Sequence, residues 1–330
     1  MKPTFLVTGA HGFIGAWVVR RLVEAGHKPI LFDKNPQPNR LRLIMDDDQI
    51  AQTTFVAGDI TDPATLPPIV EKHGINYIIH LAAFQIPAVR ANPSLGAAVN
   101  VVGTVNVFEA AVKSAGQIKH ISYASSAAVF GRPVDGRPAL EEDAAAPESL
   151  YGAFKRCNEE NARVYFMENG LSSMGIRPHT VYGVGRDFGV TSDPTKAMKA
   201  VVVGRPFRIR FDGSMDFQYA ADTADAFIRC ATSEVPGAHV FNIHGLTVTV
   251  REVVAQIEAS ARAILGDSVK PQITVEGKAN TAPGHMDDSA IRRAVGDLPV
   301  TPLAEGVRAT IARFAELARR GPLDVADLDV

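Results

Sequence analysis

Cysteine is scarce in this chain of 330 residues, which contains only Cys157 and Cys230, far apart in the sequence. Neither belongs to a Cys-x-x-Cys or Cys/His pattern, so the sequence indicates neither a disulfide framework nor a zinc site. Carboxylates with the spacing of metal ligands are missing as well. We therefore expect two free thiols and no metal centre.

Excess charge of one sign is also missing, since the formal net charge is -2 and the sequence pI is about 6.5. Lys and Arg are scattered rather than blocked, which argues against a basic surface for nucleic acid or for an anionic membrane. The apolar run at residues 4–7 is too short for a signal peptide, and no run reaches the roughly 18 apolar residues of a membrane span. We expect a cytoplasmic protein with a small-molecule partner.

What the sequence does contain is an alternation of short apolar runs with amphipathic segments. The apolar runs have the length of strands buried on both faces. They cover residues 5–7, 29–32, 54–57, 77–82 and 118–122. Apolar residues recur at helical spacing between them, as in residues 14–23 and 94–114. This repetition predicts an α/β fold with a doubly wound parallel sheet of the Rossmann type and helices on both faces.

The second half of the chain follows a looser pattern. Residues 148–169 have helical spacing, and a strand over residues 173–176 ends at Arg177-Pro178. Clusters of Pro and Gly then separate further predicted helices. These helices cover residues 194–203, 222–232, 250–265, 287–295 and 303–319. We predict one domain over residues 1–185 and a smaller α/β domain over residues 186–330, with some chain returning to the first.

A glycine-rich turn follows the first strand directly. Gly9, Gly12 and Gly15 are spaced as Gly-x-x-Gly-x-x-Gly, and Phe13 and Ile14 open the first amphipathic helix. Glycine at these positions permits a tight turn, close approach of backbone to a pyrophosphate, and close packing of helix on strand. The free N–H groups and positive dipole of the helix N-terminus favour that anion. The turn therefore predicts a dinucleotide site.

Acidic residues follow the second and third strands. Asp33 comes about 20 residues after the glycine turn, where a carboxylate accepts hydrogen bonds from ribose hydroxyls and repels a 2′-phosphate. This favours NAD over NADP, although Lys34 would offset part of the repulsion. Asp59 either caps the next helix or bonds the adenine amino group, with Ile60 against the ring.

Tyr151 and Lys155 lie four residues apart, on one face of a predicted helix. A phenol has a pKa near 10, and a nearby ammonium lowers that pKa by stabilising the phenolate. Tyr151 is thus a candidate base for an alcohol that loses a hydride to a nicotinamide.

Two serines follow the fifth strand, at the edge of the sheet where this fold binds ligands. The hydroxyl of Ser126 can bond the substrate oxygen there. Its neighbour Ser125 either shares this role or stabilises the turn.

The motifs together resemble the extended short-chain dehydrogenase/reductase family, which includes sugar-nucleotide epimerases and dehydratases. The similarity is strong over about the first 185 residues and weaker around residues 216–225. It implies that Ser126, Tyr151 and Lys155 form a catalytic triad. It also implies a homodimer formed through the helices after Ser94 and Glu148. The residues implied to surround the cofactor are Leu81, Ala82, Ala83, Asn100, Pro178 and Val181.

The chain departs from the pattern of nucleotide-sugar enzymes at two positions. Met215 and Ala282 stand where those enzymes carry arginines that grip the diphosphate and uridine, and neither residue can bond a phosphate. Each of three other arginines replaces those arginines, holds a substrate carboxylate, or is a surface charge; they are Arg186, Arg208 and Arg210. We also predict that Gln85 and His179 lie at the substrate side of the cleft.

Three functions remain open at this point. The missing arginines favour an NAD-dependent dehydrogenase that oxidises a secondary alcohol of a small sugar, sugar acid or polyol, with Tyr151 as the general base. The alternative is a sugar or nucleotide-sugar epimerase that holds its NAD tightly and returns the hydride. A non-catalytic NAD-binding protein is the third possibility, because fold alone does not prove chemistry, and the intact triad argues against it.

Overall fold

A computed structural model describes residues 2–131, 137–143, 146–278 and 283–329. The described residues form twelve strands. They are β1 (Phe5–Thr8), β2 (Ile30–Asp33), β3 (Thr54–Ala57), β4 (Tyr77–His80), β5 (His120–Ala124), β6 (Ser173–Arg177), β7 (Thr180–Tyr182), β8 (Phe207–Ile209), β9 (Ser214–Tyr219), β10 (Ala238–Asn242), β11 (Leu246–Thr249) and β12 (Ile273–Val275).

Thirteen α-helices occur in the same described residues. They are α1 (Phe13–Glu24), α2 (Asn39–Ile44), α3 (Asp47–Ile50), α4 (Leu66–His73), α5 (Ile86–Ala91), α6 (Pro93–Ala97), α7 (Gly103–Lys113), α8 (Leu150–Asn169), α9 (Asp193–Val202), α10 (Ala220–Ala231), α11 (Val250–Leu265), α12 (Ser289–Val295) and α13 (Leu303–Arg320). Most bounds lie within two residues of those that the sequence predicts.

The main sheet has seven strands in the order β10-β6-β5-β4-β1-β2-β3, and every pairing in it is parallel. Side chains alternate between its faces: Leu6 packs with residues of α4 and α7, whereas Phe5 and Val7 pack with residues of α1 and α10. Helices therefore cover both faces, which confirms the predicted α/β fold. The strand order reverses beside β1, so the carboxyl ends of β1 and β4 open a crevice for a ligand.

Two small sheets lie in the later part of the chain. One has the order β11-β9-β7, and the other pairs β12 with β8. The chain also returns to the main sheet, since β10 pairs in register with β6, from Ala238 opposite Ser173 to Asn242 opposite Arg177. The second half of the chain thus builds one wall of the crevice and one edge of the main sheet.

The long helical segment predicted over residues 94–114 is interrupted. A π-helical turn, Ala98–Val102, separates α6 from α7. The whole segment, Pro93–Lys113, is long and apolar enough to cross a membrane by length and composition, but a helix packed in a protein core passes the same test. Half of this segment is buried against the rest of the protein.

Candidate active site

The glycine-rich turn joins the end of β1 to the start of α1. Gly9 has a φ of 68°, and a Cβ atom there would lie 2.6 Å from the Ala82 nitrogen. A Cβ atom on Gly15 would lie 2.2 Å from the Gly9 oxygen, so helix and strand pack at a distance that only glycine allows. Gly12 caps α1 without a side-chain hydrogen bond, and the first turn has no acidic residue. The N–H groups of that turn are therefore free for an anion.

Asp33 lies at the end of β2 beside this turn. One of its oxygens accepts a hydrogen bond from the His11 N–H at 3.0 Å and the other accepts one from the Asn35 N–H at 2.9 Å. Each carboxylate oxygen has two lone pairs, so acceptor capacity remains for ribose hydroxyls. Lys34 turns away from Asp33, and its Nζ atom lies 2.7 Å from a carboxylate oxygen of Asp59. The bonds from Lys34 and Thr61 lower the pKa of Asp59 to about 2. Lys34 thus neutralises Asp59 rather than Asp33.

A cavity of about 280 Å³ lies between the glycine turn and the carboxyl edge of the sheet. The predicted site residues on its wall are Gly9, Gly12, Phe13, Ile14, Gly15, Leu81, Ala83, Gln85, Ser125, Ser126, Tyr151, Lys155, Pro178, His179, Val181 and Arg186. Seven further wall residues were not predicted: Ile86, Ala124, Ala127, Ala128, Thr180, Val190 and Thr191. Val190 and Thr191 lie in an irregular segment whose path no sequence pattern indicates.

The other predicted cofactor residues lie off this wall, and they are Asp33, Asp59, Ile60, Ala82 and Asn100. Asn100 is buried in the π-helical turn, where its amide accepts from the Phe84 N–H at 2.7 Å and donates to the Phe84 oxygen at 2.9 Å. Ile60 packs against Gly103, where a Cβ atom would lie 2.8 Å from it. Asn100 therefore fixes the segment after β4, which in turn forms the cavity wall.

The catalytic helix, α8, is fixed at its N-terminus. Ser149 caps it by accepting from the Gly152 N–H at 3.1 Å. A Cβ atom on Gly152 would lie 2.1 Å from the Ala128 oxygen, so the first turn of α8 packs directly on the segment after β5. This contact places Tyr151 beside Ser126, and the two side chains share a hydrogen bond. The predicted triad is thereby brought to one place.

Lys155 reaches the same place from the next turn of α8. Its Nζ atom donates to the Ala124 oxygen at 2.6 Å and lies 5.6 Å from the centre of the Tyr151 ring. Burial lowers the pKa of Lys155 to about 8, against the opposing charge of Glu159. Burial likewise raises the pKa of Tyr151, while the Ser126 hydrogen bond and the charge of Arg186 act to lower it.

A buried ion pair that the sequence did not predict contacts the residue next to Ser126 of the triad. Glu159 and Arg177 form two hydrogen bonds of 2.8 Å, with side chains only 2% and 1% exposed. The Ser125 hydroxyl donates to Glu159 at 2.5 Å, so Ser125 is tied to this pair although it also touches the cavity. This bond links the residue after β5 to α8, and the predicted role of Ser125 toward a substrate stays a prediction. Glu159 lies four residues after Lys155 on α8, and this spacing is the one feature of the sequence that could have indicated it.

Arg186 enters the cavity from the segment between β7 and α9. Its guanidinium lies 5.5 Å from the centre of the Phe13 ring and donates to Gln85 at 3.4 Å and to Thr191 at 3.2 Å. Its Nε atom is buried without an acceptor among the described residues. Burial lowers the pKa of Arg186 to about 10.

Residues 5–243 match the model of the NAD dependent epimerase/dehydratase family. The chain belongs to this family. It is therefore an NAD-dependent enzyme of the extended short-chain dehydrogenase/reductase type, as the sequence motifs predict.

Individual relatives span nearly the whole chain. A UDP-glucose 4-epimerase of Mycolicibacterium smegmatis is 32% identical over 315 residues, which cover 94% of this chain and 97% of the relative. UDP-glucuronate 4-epimerase 6 of Arabidopsis thaliana is 29% identical over 92% of this chain and 69% of the relative. The solved structure of MoeE5 in complex with UDP-glucose and NAD is 27% identical, with a TM-score of 0.77 over 96% of this chain and 99% of that chain.

The described residues fit the family's cofactor. The glycine turn leaves free N–H groups for a pyrophosphate, Asp33 keeps acceptor capacity for ribose, and the cavity extends from that turn to Tyr151. The free N–H groups of the first turn of α1, which begins at Phe13, would hold the pyrophosphate, while Tyr151 and Lys155 would face the nicotinamide riboside. The comparisons favour the epimerase over the dehydrogenase that the missing arginines had suggested.

Several residues in the second half of the chain differ in role from what the sequence predicts. Arg210 forms an ion pair with buried Asp193 at 2.7 Å, and Arg208 pairs with exposed Glu276, so neither lies on the cavity wall. Met215 is buried on β9. The other departure from the family pattern, Ala282, lies outside the described residues.

His179 does reach the cavity, as predicted. Its Nδ1 atom lies 2.9 Å from the Thr180 hydroxyl, and its backbone N–H donates to Gln218 at 3.1 Å. Burial lowers the pKa of His179, so the imidazole is neutral near pH 7. Its Nε2 atom is buried without a hydrogen-bond partner among the described residues, so a role toward the substrate stays a prediction.

Proposed function

We propose that this protein is an NAD-dependent epimerase that inverts one secondary alcohol carbon of a nucleotide sugar. The observation that carries the proposal is a single cavity that joins the glycine turn to Ser126, Tyr151 and Lys155. Similarity to a UDP-glucose 4-epimerase over 94% of the chain supports carbon 4 as the reacting centre.

Ser126, Tyr151 and Lys155 have separate roles in this reaction. Bound NAD supplies the acceptor for a hydride from the alcohol carbon. Tyr151 takes the proton of the hydroxyl on that carbon, and Ser126 hydrogen-bonds the same oxygen. Lys155 would hold the nicotinamide ribose. Turning of the sugar within the cavity then presents the other face of the carbonyl carbon, which takes the hydride back while Tyr151 returns the proton to the oxygen.

A dehydrogenase acting on a small sugar, sugar acid or polyol is the second candidate. The observation in its favour is Met215, an apolar and buried residue in the place of an arginine that grips a diphosphate. A dehydrogenase would release its reduced cofactor after each turnover, whereas an epimerase would retain it.

One experiment separates these candidates. Purified protein and NAD are mixed with UDP-glucose, UDP-glucuronate, free sugars, sugar acids and polyols, with absorbance at 340 nm recorded and the products analysed. We expect an isomerised UDP-sugar without a net rise in absorbance. A stoichiometric rise with a non-nucleotide substrate, and no isomerised UDP-sugar, would replace the epimerase by the dehydrogenase.

A further inference from the structure

We propose that Glu159 is a positioning residue for the catalytic triad, which it holds in place without touching the cofactor or the substrate. It fixes the backbone beside Ser126 and provides a negative charge near the buried ammonium of Lys155. Glu159 does not lie on the cavity wall, so it acts only through its neighbours. The inference applies to both reactions considered above, because both use the same triad.

Three consecutive residues, beginning with the last residue of β5, bond three residues of α8 that are spaced four apart on one face of that helix. These bonds join Ala124 to Lys155, Ser125 to Glu159, and Ser126 to Tyr151. The first two measure 2.6 and 2.5 Å. The Glu159 carboxylate therefore holds the one residue that separates the acceptor of the ammonium from the catalytic serine.

The carboxylate of Glu159 is itself fixed from a neighbouring strand. Arg177, in β6, donates to both of its oxygens at 2.8 Å, and Arg156 donates to one of them at 2.9 Å. Arg177 also precedes Pro178, which lies on the cavity wall and whose oxygen accepts from the Ala127 N–H at 2.9 Å. Glu159 thus connects α8 with β6 and with the end of β5, next to the triad.

The burial of this ion pair indicates a role beyond stability. The side chains of Glu159 and Arg177 are 2% and 1% exposed, so both charges have been removed from water. A buried pair of this kind adds little net stability compared with apolar side chains of the same volume, because the cost of desolvation offsets the attraction. Apolar side chains could not provide an acceptor for Ser125 or a negative charge near Lys155.

The charge of Glu159 acts on Lys155, one turn earlier in α8. Burial lowers the pKa of Lys155 to about 8, and the Glu159 carboxylate opposes that shift. Two other titratable groups of the described residues face the ammonium. Burial raises the pKa of Tyr151 and, together with the charge of Lys155, lowers the pKa of His80 to about 3. Both are neutral near pH 7, so the negative charge that keeps Lys155 protonated comes from Glu159.

The test compares Glu159→Gln, Ser125→Ala and the double variant with the native enzyme, with UDP-glucose as the probe from about pH 6.5 to about pH 9.5. Ser122→Ala is the matched control, because it removes a buried hydroxyl of β5 that has no partner among the described residues. We expect Glu159→Gln to lower kcat at least about tenfold and to change KM less than about threefold, since the carboxylate orients the triad but touches no substrate.

The pH profile separates positioning from a purely structural role. In Glu159→Gln, the pH at which kcat falls on the alkaline side should be lower by at least about half a pH unit, because Lys155 loses the charge that keeps it protonated. A native alkaline limb, or a near-native kcat, in this variant would overturn the inference.

The double variant shows whether Ser125 acts through Glu159. The two residues share one bond, so the double variant should have nearly the kcat of Glu159→Gln; losses that multiply would overturn the inference. Ser125→Ala leaves the ion pair intact, and it decides the matter if Glu159→Gln does not fold. Its kcat should then fall about threefold or more below that of Ser122→Ala, and equal kcat values would contradict the positioning role.

A further measurement does not depend on turnover. Because Lys155 would hold the nicotinamide ribose, the affinity for NAD measured by calorimetry should weaken as Lys155 loses its proton. Glu159→Gln should move this loss to lower pH, again by at least about half a pH unit. If no UDP-sugar is isomerised, the proposed function fails, while this titration still decides the role of Glu159. An unchanged pH dependence of NAD affinity in Glu159→Gln would refute it.

Discussion

Tyr151 and Lys155 lie in surroundings that oppose their charged forms. Burial raises the pKa of the phenol and lowers that of the ammonium to about 8, so both groups are nearer to neutrality than in water. The sequence predicts that Lys155 lowers the pKa of Tyr151. In the structure the lowering influences are the hydrogen bond with Ser126 and the charge of Arg186. Spacing on a helix showed which residues meet, but it could not show a cation contributed from a distant segment.

The phenol of Tyr151 is the group on which the chemistry depends. We expect Tyr151→Phe to reduce turnover by at least about a hundredfold, because the proton acceptor is lost, while NAD binding changes little. Tyr165→Phe, on the same helix, is the matched control. Turnover and NAD affinity should be measured on both variants, and near-native turnover of Tyr151→Phe would remove this residue as the base.

Lys155 also predicts a pH dependence of stability. Its folded pKa of about 8 lies below the ordinary value of 10.5, so the unfolded chain binds more protons between these two pH values. Stability of the native protein should therefore rise over this range relative to Lys155→Met, by about 2 kcal/mol between pH 8 and pH 10. Urea unfolding of both proteins without NAD measures this difference. An unchanged difference between pH 8 and pH 10 would contradict the lowered pKa.

The sequence predicts the regular strands and helices better than it predicts the irregular segments between them. Apolar runs predict the strands of the main sheet because both faces of a parallel strand are buried. The π-helical turn Ala98–Val102 has no such signal, although it places Asn100 where its amide holds Phe84. The segment from Gly183 to Ser192 is irregular, and tertiary contacts such as that of Arg40 with Asp187 decide its path. Most of the cavity wall was predictable for this reason, whereas the side formed by Val190 and Thr191 was not.

The helical segments after Ser94 and Glu148 leave apolar side chains exposed. Among them are Val102, 48% exposed, and Met167, 69% exposed. We propose that these segments form the interface of a homodimer. Val102→Glu should shift the protein to monomer in size-exclusion chromatography with light scattering, because it buries a charge in that interface.

The matched control for the interface is Val300→Glu, since Val300 is 38% exposed on another part of the surface. This variant should remain dimeric. A native protein that is monomeric at micromolar concentration, or a Val102→Glu variant with the native mass, would contradict the proposed interface.

At the scale of the whole molecule, the active site lies where two parts of the chain meet. The main sheet supplies the glycine turn, Ser126 and the helix of Tyr151, whereas the segment after β7 supplies Arg186. Sequence periodicity predicts the first part well, because each strand and helix is regular over its own length. The later part depends on contacts between distant residues, such as β10 with β6, which periodicity does not reveal.

In the proposed reaction the reacting carbon loses its hydride and regains it within one active site. The most direct test is conversion of a UDP-sugar deuterated at carbon 4, followed by NMR and mass spectrometry of the product. We expect an epimer that retains deuterium at carbon 4, with no net gain in absorbance at 340 nm. Deuterium found instead in released cofactor, together with a ketone product, would contradict it.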